Sequence, residues 1–323
     1  MGEHQRTPIP ALQDIPHPGG VASHLWALGR ALRPRQWAKN LLVFLPFAFT
    51  VHERWTPAAP AEAGLLLGRT AAAFALFCLL SSAVYLVNDV VDASRDRLHP
   101  RKRLRPVASG ALPAGVAVAV ALLLGGIGLA GSFALGTGFG VVAALYLAST
   151  SAYTFLLKRV ALLDVMTLSV GYILRAVAGA VALGAPISPW LYVVTGLGAL
   201  LLGLGKRRAE LALAHQRPHP AHAQRETLKE YTLPLLDQLV ALVASATLIA
   251  YTLYTFTAPN LPANHAMMLT IPFFLFGLFR YLYLVYVRNV GEAPEDELLT
   301  DKPLLATVGL WLMAALGVLT LLR

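Results

Sequence analysis

The chain has 323 residues, 57% of them hydrophobic and only 13% charged, with a mean hydropathy of +0.62. Soluble domains carry about 45–50% apolar and about 25% charged residues, so this composition excludes an ordinary globular enzyme or binding module and requires lipid around much of the surface. The net charge of +9 would point to nucleic acid in a soluble protein, but in a membrane protein its distribution among connections sets topology, and no nucleic-acid partner is expected.

Residues 1–29 are polar and Pro-rich, lack the compact apolar run of a signal peptide, and read as a flexible cytoplasmic N-terminal tail. The remainder, 30–323, reads as a single transmembrane domain. Apolar runs of helical length fall at 37–52, 63–87, 114–134, 137–157, 160–183, 188–204, 234–257, 265–287 and 303–322. These nine runs match the roughly nine crossings that the apolar content supplies at about 20 residues each. Cys78, the single cysteine, lies within the second run and reads as core packing. The Gly-rich stretch from Gly125 to Gly140 has no phosphate-loop spacing and reads as close helix packing.

Basic residues sort sharply between the two sides. Arg95, Arg97, Arg101, Lys102, Arg103 and Arg105 follow the second run, Lys158 and Arg159 the fourth, and Lys206, Arg207, Arg208, Arg217, Arg225 and Lys229 the sixth. All lie on the side of the N-terminus, whereas the other side has only Arg54, Arg69 and Arg323. The positive-inside rule therefore puts the N-terminus in the cytoplasm and the C-terminus outside, in an inner (cytoplasmic) membrane. A transporter would line a path across the bilayer with charges. Here nearly every ionisable residue is at one face, which favours a reaction chamber open to the cytoplasm.

The second run continues without a breaker into Asn88-Asp89-Val90-Val91-Asp92-Ala93-Ser94-Arg95-Asp96. On a helix Asp89, Asp92 and Asp96, spaced i, i+3, i+7, line one face over roughly 10 Å. Three carboxylates on one stripe repel unless cations neutralise them, and hard oxygen donors favour Mg²⁺ bridging to substrate phosphates. Pro100 should end the helix just after them. The loop Arg101-Lys102-Arg103-Leu104-Arg105, held between Pro100 and Pro106, then forms an anion-binding wall.

These residues resemble the first aspartate-rich motif of the UbiA superfamily of intramembrane prenyltransferases. Arg33-Pro34-Arg35-Gln36-Trp37-Ala38-Lys39-Asn40, His99 to Pro106, Gly205-Lys206-Arg207-Arg208-Ala209-Glu210 and Pro294-Glu295-Asp296 bring it nearer to the decaprenyl-phosphate phosphoribosyltransferases within that superfamily. The resemblance implies an all-α polytopic membrane protein, nine transmembrane helices in a ring around a central cavity open to the cytoplasmic side. It implies a Mg²⁺-dependent pentosyltransferase, with Mn²⁺ as a substitute metal. Phosphoribose would pass from phosphoribosyl pyrophosphate to a decaprenyl-like polyprenyl phosphate, releasing pyrophosphate, in cell-envelope arabinan precursor synthesis or a related pathway. Asn88, Asp89, Asp92 and Asp96 are then the metal ligands, with Asp89 and Asp92 essential to catalysis. The alternative within the superfamily is transfer of a prenyl group from a diphosphate to an aromatic acceptor. Homo-oligomerisation is left open.

The substrate-binding candidates are cations and polar groups near that face. Lys102, Arg103 and Arg105 come from the basic loop; Tyr153 and Lys158 end the fourth run; Asp164 begins the fifth, with Arg175 three turns deeper. An intramembrane arginine is costly, so Arg175 either contacts an anion or pairs with Asp164. Arg280 is expected to have a structural partner. Superfamily members that use prenyl diphosphates carry a second aspartate-rich motif after the sixth span. Here that place holds Lys206, Arg207 and Glu210, which suits recognition of a phosphate. Residues 226–231 are expected to form a short capping helix. Lys39 and Asn40 are either interfacial anchors or hold the lipid phosphate. His215, His219 and His222 are assigned no metal.

Overall fold

The computed structural model describes residues 21–98, 102–216, 226–288 and 300–322. Eight helices among them are long and apolar enough to cross a membrane. A short helix, α1 (Val21–Ala31), precedes a 3-10 run at Pro34–Phe44 that passes directly into α2 (Leu45–Phe49). There follow α3 (Pro60–Val91), α4 (Ala93–Arg97), α5 (Ala114–Leu135), α6 (Thr137–Phe155), α7 (Leu163–Leu183) and α8 (Pro189–Gln216). A 3-10 turn at Glu226–Glu230 leads to α9 (Leu233–Thr257), α10 (Ile271–Tyr286) and α11 (Lys302–Leu321). Of the expected N-terminal tail, residues 1–20 lie outside the described residues and 21–29 belong to α1.

The first predicted span, 37–52, differs most from its expectation. It is a 3-10 segment for most of its length, with Asn40 and Val43 fully buried between α3 and α7. A 3-10 helix rises about 2.0 Å per residue against about 1.5 Å, so residues 34–49 extend roughly 30 Å, the thickness of the hydrocarbon layer. The ends agree with that reach: Arg33 meets Asp89, and Arg54 donates to the Leu183 carbonyl at the far end of α7. Gly179 makes the close packing feasible, because a Cβ there would lie 2.0 Å from the Val43 carbonyl oxygen. Around it α7 buries Ala176, Ala178, Ala180 and Ala182, the small residues that let helices approach where no water drives them together.

The 32 residues of α3 give a rod of about 48 Å, well beyond the roughly 30 Å hydrocarbon layer, so its last turn stands at the polar interface. Likewise α8 runs twelve residues past the predicted boundary at 204, which places Lys206, Arg207 and Glu210 on a helix rather than in a loop. Ala27 and Ala31 of α1 are buried against Leu86, Val107 and Leu112, which folds α1 back over that end of α3.

Candidate active site

Asp89, Asp92 and Asp96 stand where α3 gives way to α4. The helical ladder continues across the junction, with Asp92 N–H on the Asn88 carbonyl and Asp96 N–H on that of Asp92, but Asp92 itself has φ −92°, ψ 0°. Asp89 and Asp96 share a face and are both buried, and Arg105 Nη1 lies between them, 2.6 Å from Asp96 Oδ2 and 3.4 Å from Asp89 Oδ1. Arg33 donates to the same Asp89 oxygen. Asp92 turns instead toward the 3-10 turn Leu157–Arg159 that follows α6, where Lys158 Nζ is 2.8 Å from its Oδ1. The expected single stripe of three carboxylates is therefore divided. The physical reason is like-charge repulsion at a partly buried helix end, relieved by cations from three separate segments rather than along one helix face.

This donor set suits a divalent cation that relies on substrate for part of its coordination. Asp89 Oδ2 is buried without a hydrogen-bond partner among the described residues, leaving one hard oxygen unspent. Asn88 beside it contacts Thr154 Oγ1 at 2.6 Å. Among the described residues no group of three or more His, Cys, Asp or Glu is placed to hold a metal ion by itself. Mg²⁺ needs none, since it is commonly held by one or two carboxylates with water and phosphate oxygens completing the octahedron.

Beside the carboxylates is a cavity of about 290 Å³ lined by Arg30, Arg33, Asp89, Leu104, Arg105 and Pro106. A larger one of about 390 Å³, lined by Val240, Ala241, Leu282, Tyr283 and Tyr286, contains no charged group and shares no residue with the carboxylate cluster. The smaller, basic cavity is therefore the one that adjoins the carboxylate cluster. Of the predicted wall Arg105 reaches the carboxylates; Lys102 and Arg103 lie on a 3-10 turn, Arg103 exposed, and Arg101 lies outside the described residues.

A second cluster joins α7, α8 and the turn before α9. Arg207 is wholly buried, with Nε 2.6 Å from Asp164 Oδ2 and Nη1 2.5 Å from Glu210 Oε2. Tyr231 donates to Asp164 Oδ1 at 2.7 Å and accepts from Leu162 N–H at 2.7 Å. Burial pushes the Tyr231 phenol above its ordinary pKa, which keeps it a neutral donor. Expected among phosphate ligands, Arg207 instead spends its charge on two carboxylates. Only Nη2 is unpartnered among the described residues, and it too is buried. Lys206 and Tyr153 are half-buried nearby. The predicted capping helix is the 3-10 turn Glu226–Glu230, seated by buried Thr227, Leu228 and Tyr231.

Of the two roles left open for Arg175, pairing with Asp164 is not formed. Arg175 donates to Asn40 Oδ1 at 2.7 Å, the Gly171 carbonyl at 2.7 Å and the Tyr146 hydroxyl at 2.8 Å, while Asp164 pairs with Arg207. Asn40 in turn donates to Cys78 Sγ and Ser81 Oγ, so it is a buried link between three segments and not an interfacial lipid ligand; Lys39 beside it is half-buried. Cys78 is buried, as core packing requires. Arg280 has its structural partner: it donates to both oxygens of Asp301, the N-cap of α11. Sequence reasoning missed Thr154 and Tyr231 and did not place Arg33 among the site residues. Their partners lie 66, 67 and 56 residues away, separations with no local periodic signal.

The model of the UbiA prenyltransferase family matches residues 41–295. The chain is 37% identical over 293 residues to a protein of Mycobacterium tuberculosis named decaprenyl-phosphate phosphoribosyltransferase, covering 87% of this chain and 92% of the relative. A Corynebacterium glutamicum protein of the same name is 36% identical, with 87% and 83% covered. Among solved structures, a UbiA homolog from Archaeoglobus fulgidus bound to GPP and Mg2+ superposes with a TM-score of 0.67 at 17% identity, over 91% of this chain and 100% of that one.

Proposed function

The chain belongs to the UbiA prenyltransferase family, and within it we propose that the protein transfers 5-phosphoribose from phosphoribosyl pyrophosphate to a decaprenyl-like polyprenyl phosphate. The observation that carries the reading is the likeness to relatives of that name over nearly nine-tenths of the chain. In the reaction a lipid-phosphate oxygen bonds to ribose C1 as the bond from C1 to pyrophosphate breaks, and pyrophosphate leaves with the bonding electrons. A phosphate monoester is already anionic at neutral pH, so no general base is needed.

The work left to the protein is to hold two anions together. Arg33 and Arg105, now on Asp89 and Asp96, are the cations placed to take up phosphate oxygens when substrate enters. Asp89, with its unspent Oδ2, is the first candidate to hold Mg²⁺ or Mn²⁺, assisted by Asn88, Asp92 and Asp96. Such an ion would stabilise the charge gathering on the departing pyrophosphate. Lys158 keeps Asp92 neutralised from the turn after α6. The site then opens to the cytoplasm, with the C-terminus outside, as the placement of basic residues supports.

Prenyl transfer to an aromatic acceptor is less well supported, because the only acid in the segment Lys206–Glu210, Glu210, is occupied by Arg207. The test is to incubate purified protein in lipid with Mg²⁺, phosphoribosyl pyrophosphate and several polyprenyl phosphates and to weigh the lipid product. A gain of one phosphoribosyl group is expected. Consumption of a prenyl diphosphate with an aromatic acceptor, and none of phosphoribosyl pyrophosphate, would overturn the proposal.

A further inference from the structure

The basic cavity contains more positive charge than its carboxylates can neutralise. Of its three guanidinium groups, Arg33 pairs with Asp89, and Arg105 lies between Asp89 and Asp96. Arg30 pairs with no carboxylate among the described residues; its guanidinium lies over the Trp26 ring, 4.7 Å from the centroid. The set Arg30, Arg33, Arg105, Asp89 and Asp96 is thus one positive charge in excess, and the excess sits on Arg30 at the cavity wall.

Arg30 is held there by local structure. Ala27 and Ala31 bury one face of α1 against α3 and its following loop. At Arg33 the chain adopts φ 54°, ψ 61°, a left-handed turn that redirects it from α1 into the buried 3-10 segment. Trp26 limits the guanidinium's freedom by stacking. Leu25 and Trp26 of α1 are exposed, and Leu104 is exposed at the cavity rim, so a charged pocket stands beside an apolar border.

Arg30 and Arg33 both precede residue 41, where the match to the UbiA family model begins. Prenyl diphosphates carry no phosphate monoester, whereas both substrates of phosphoribosyl transfer do: the 5-phosphate of the donor and the phosphate of the lipid. We infer that Arg30 is a specificity residue that recognises a phosphate monoester of one of these two substrates. The inference rests on the phosphoribosyl-transfer reading and adds to it the residue that selects for a monoester.

The test uses full-length protein in lipid nanodiscs, with Arg30→Ala, Arg30→Lys and, as a control that removes one exposed charge elsewhere, Arg159→Ala. Two monoester probes, ribose 5-phosphate and farnesyl phosphate, are titrated as inhibitors, and binding of phosphoribosyl pyrophosphate without acceptor is measured by calorimetry. Arg30→Ala is expected to raise the inhibition constant of one probe about five- to tenfold, the size of one charge-assisted contact at a partly solvated site, with Arg30→Lys retaining part of the affinity. A rise for ribose 5-phosphate, with weaker donor binding, assigns Arg30 to the donor; a rise for farnesyl phosphate alone assigns it to the lipid. Unchanged constants for both probes in Arg30→Ala, or an equal rise in Arg159→Ala, would overturn the inference. Turnover of phosphoribosyl pyrophosphate by the unaltered protein reports separately on the reaction itself.

Discussion

Asp164→Asn tests whether the buried cluster at the start of α7 is structural. Asp164 and Arg207 both have zero side-chain exposure and are 2.6 Å apart. Unit charges about 4 Å apart attract by about 4 kcal/mol at an effective dielectric constant of about 20. The asparagine keeps only one of the two acceptor oxygens that Tyr231 and Arg207 use and removes the charge, leaving Glu210 as the one carboxylate partner of Arg207. Breaking a buried pair in this way costs about 3–5 kcal/mol, a large part of a total stability of about 5–15 kcal/mol. Arg207→Met should cost a similar amount by stranding Asp164. The double variant should lose less than the sum by at least about 2 kcal/mol, since the second change removes the charge that the first orphaned. Equilibrium unfolding by SDS titration in mixed micelles measures all three. Single losses under about 1 kcal/mol, or strict additivity, would refute the reasoning. So would Arg207→Met at normal stability with a tenfold higher KM for phosphoribosyl pyrophosphate, which would make Arg207 a phosphate ligand after all.

Four further outcomes are expected. Asp89→Asn and Asp92→Asn should each abolish turnover in protein that still folds; full activity at normal thermal stability would remove the metal assignment. Thr154→Val should raise the Mg²⁺ concentration for half-maximal activity several-fold, by freeing the Asn88 amide it contacts at 2.6 Å, and Thr154→Ser should restore it; equal effects of both would count against a hydroxyl role. Gly179→Ala should prevent accumulation of folded protein, because the added Cβ would meet the Val43 carbonyl at 2.0 Å, and a normal yield would show that the 3-10 segment can move away from α7. The Arg280 hydrogen bonds hold the Asp301 carboxyl below its ordinary pKa, so its contribution is fully present above the usual carboxylate range and is lost as pH falls through the lowered value. Asp301→Ala should therefore cost about 0.5–2 kcal/mol at neutral pH as a lost cap, and less in acid; a loss independent of pH would separate the cap from the charge.

Much of this molecule was legible from local pattern. Seven of the nine predicted runs coincide with α3, α5, α6, α7, α9, α10 and α11 to within a few residues, because an apolar stretch in lipid must satisfy its backbone hydrogen bonds internally and so becomes a helix. The aspartate-rich end of α3 was legible too, since carboxylates that continue an apolar helix to the interface need counter-charges wherever the rest of the chain lies.

The identity of those counter-charges was decided only by the fold. Arg33 reaches Asp89 across 56 positions, Arg207 reaches Asp164 across 43, and Arg175 reaches Asn40 across 135. The sequence left Arg175, eleven residues along the same helix, open between an anion and Asp164; the structure instead supplied Arg207 from α8 and gave Arg175 neutral acceptors. The 3-10 form of residues 34–44 also has no local cause that composition would reveal. It depends on the narrow space between α3 and α7, which Gly179 opens to the Val43 carbonyl. Periodicity records which residues face lipid or protein, whereas the choice among many cations for a few buried carboxylates is made by which helix ends the tertiary packing brings together.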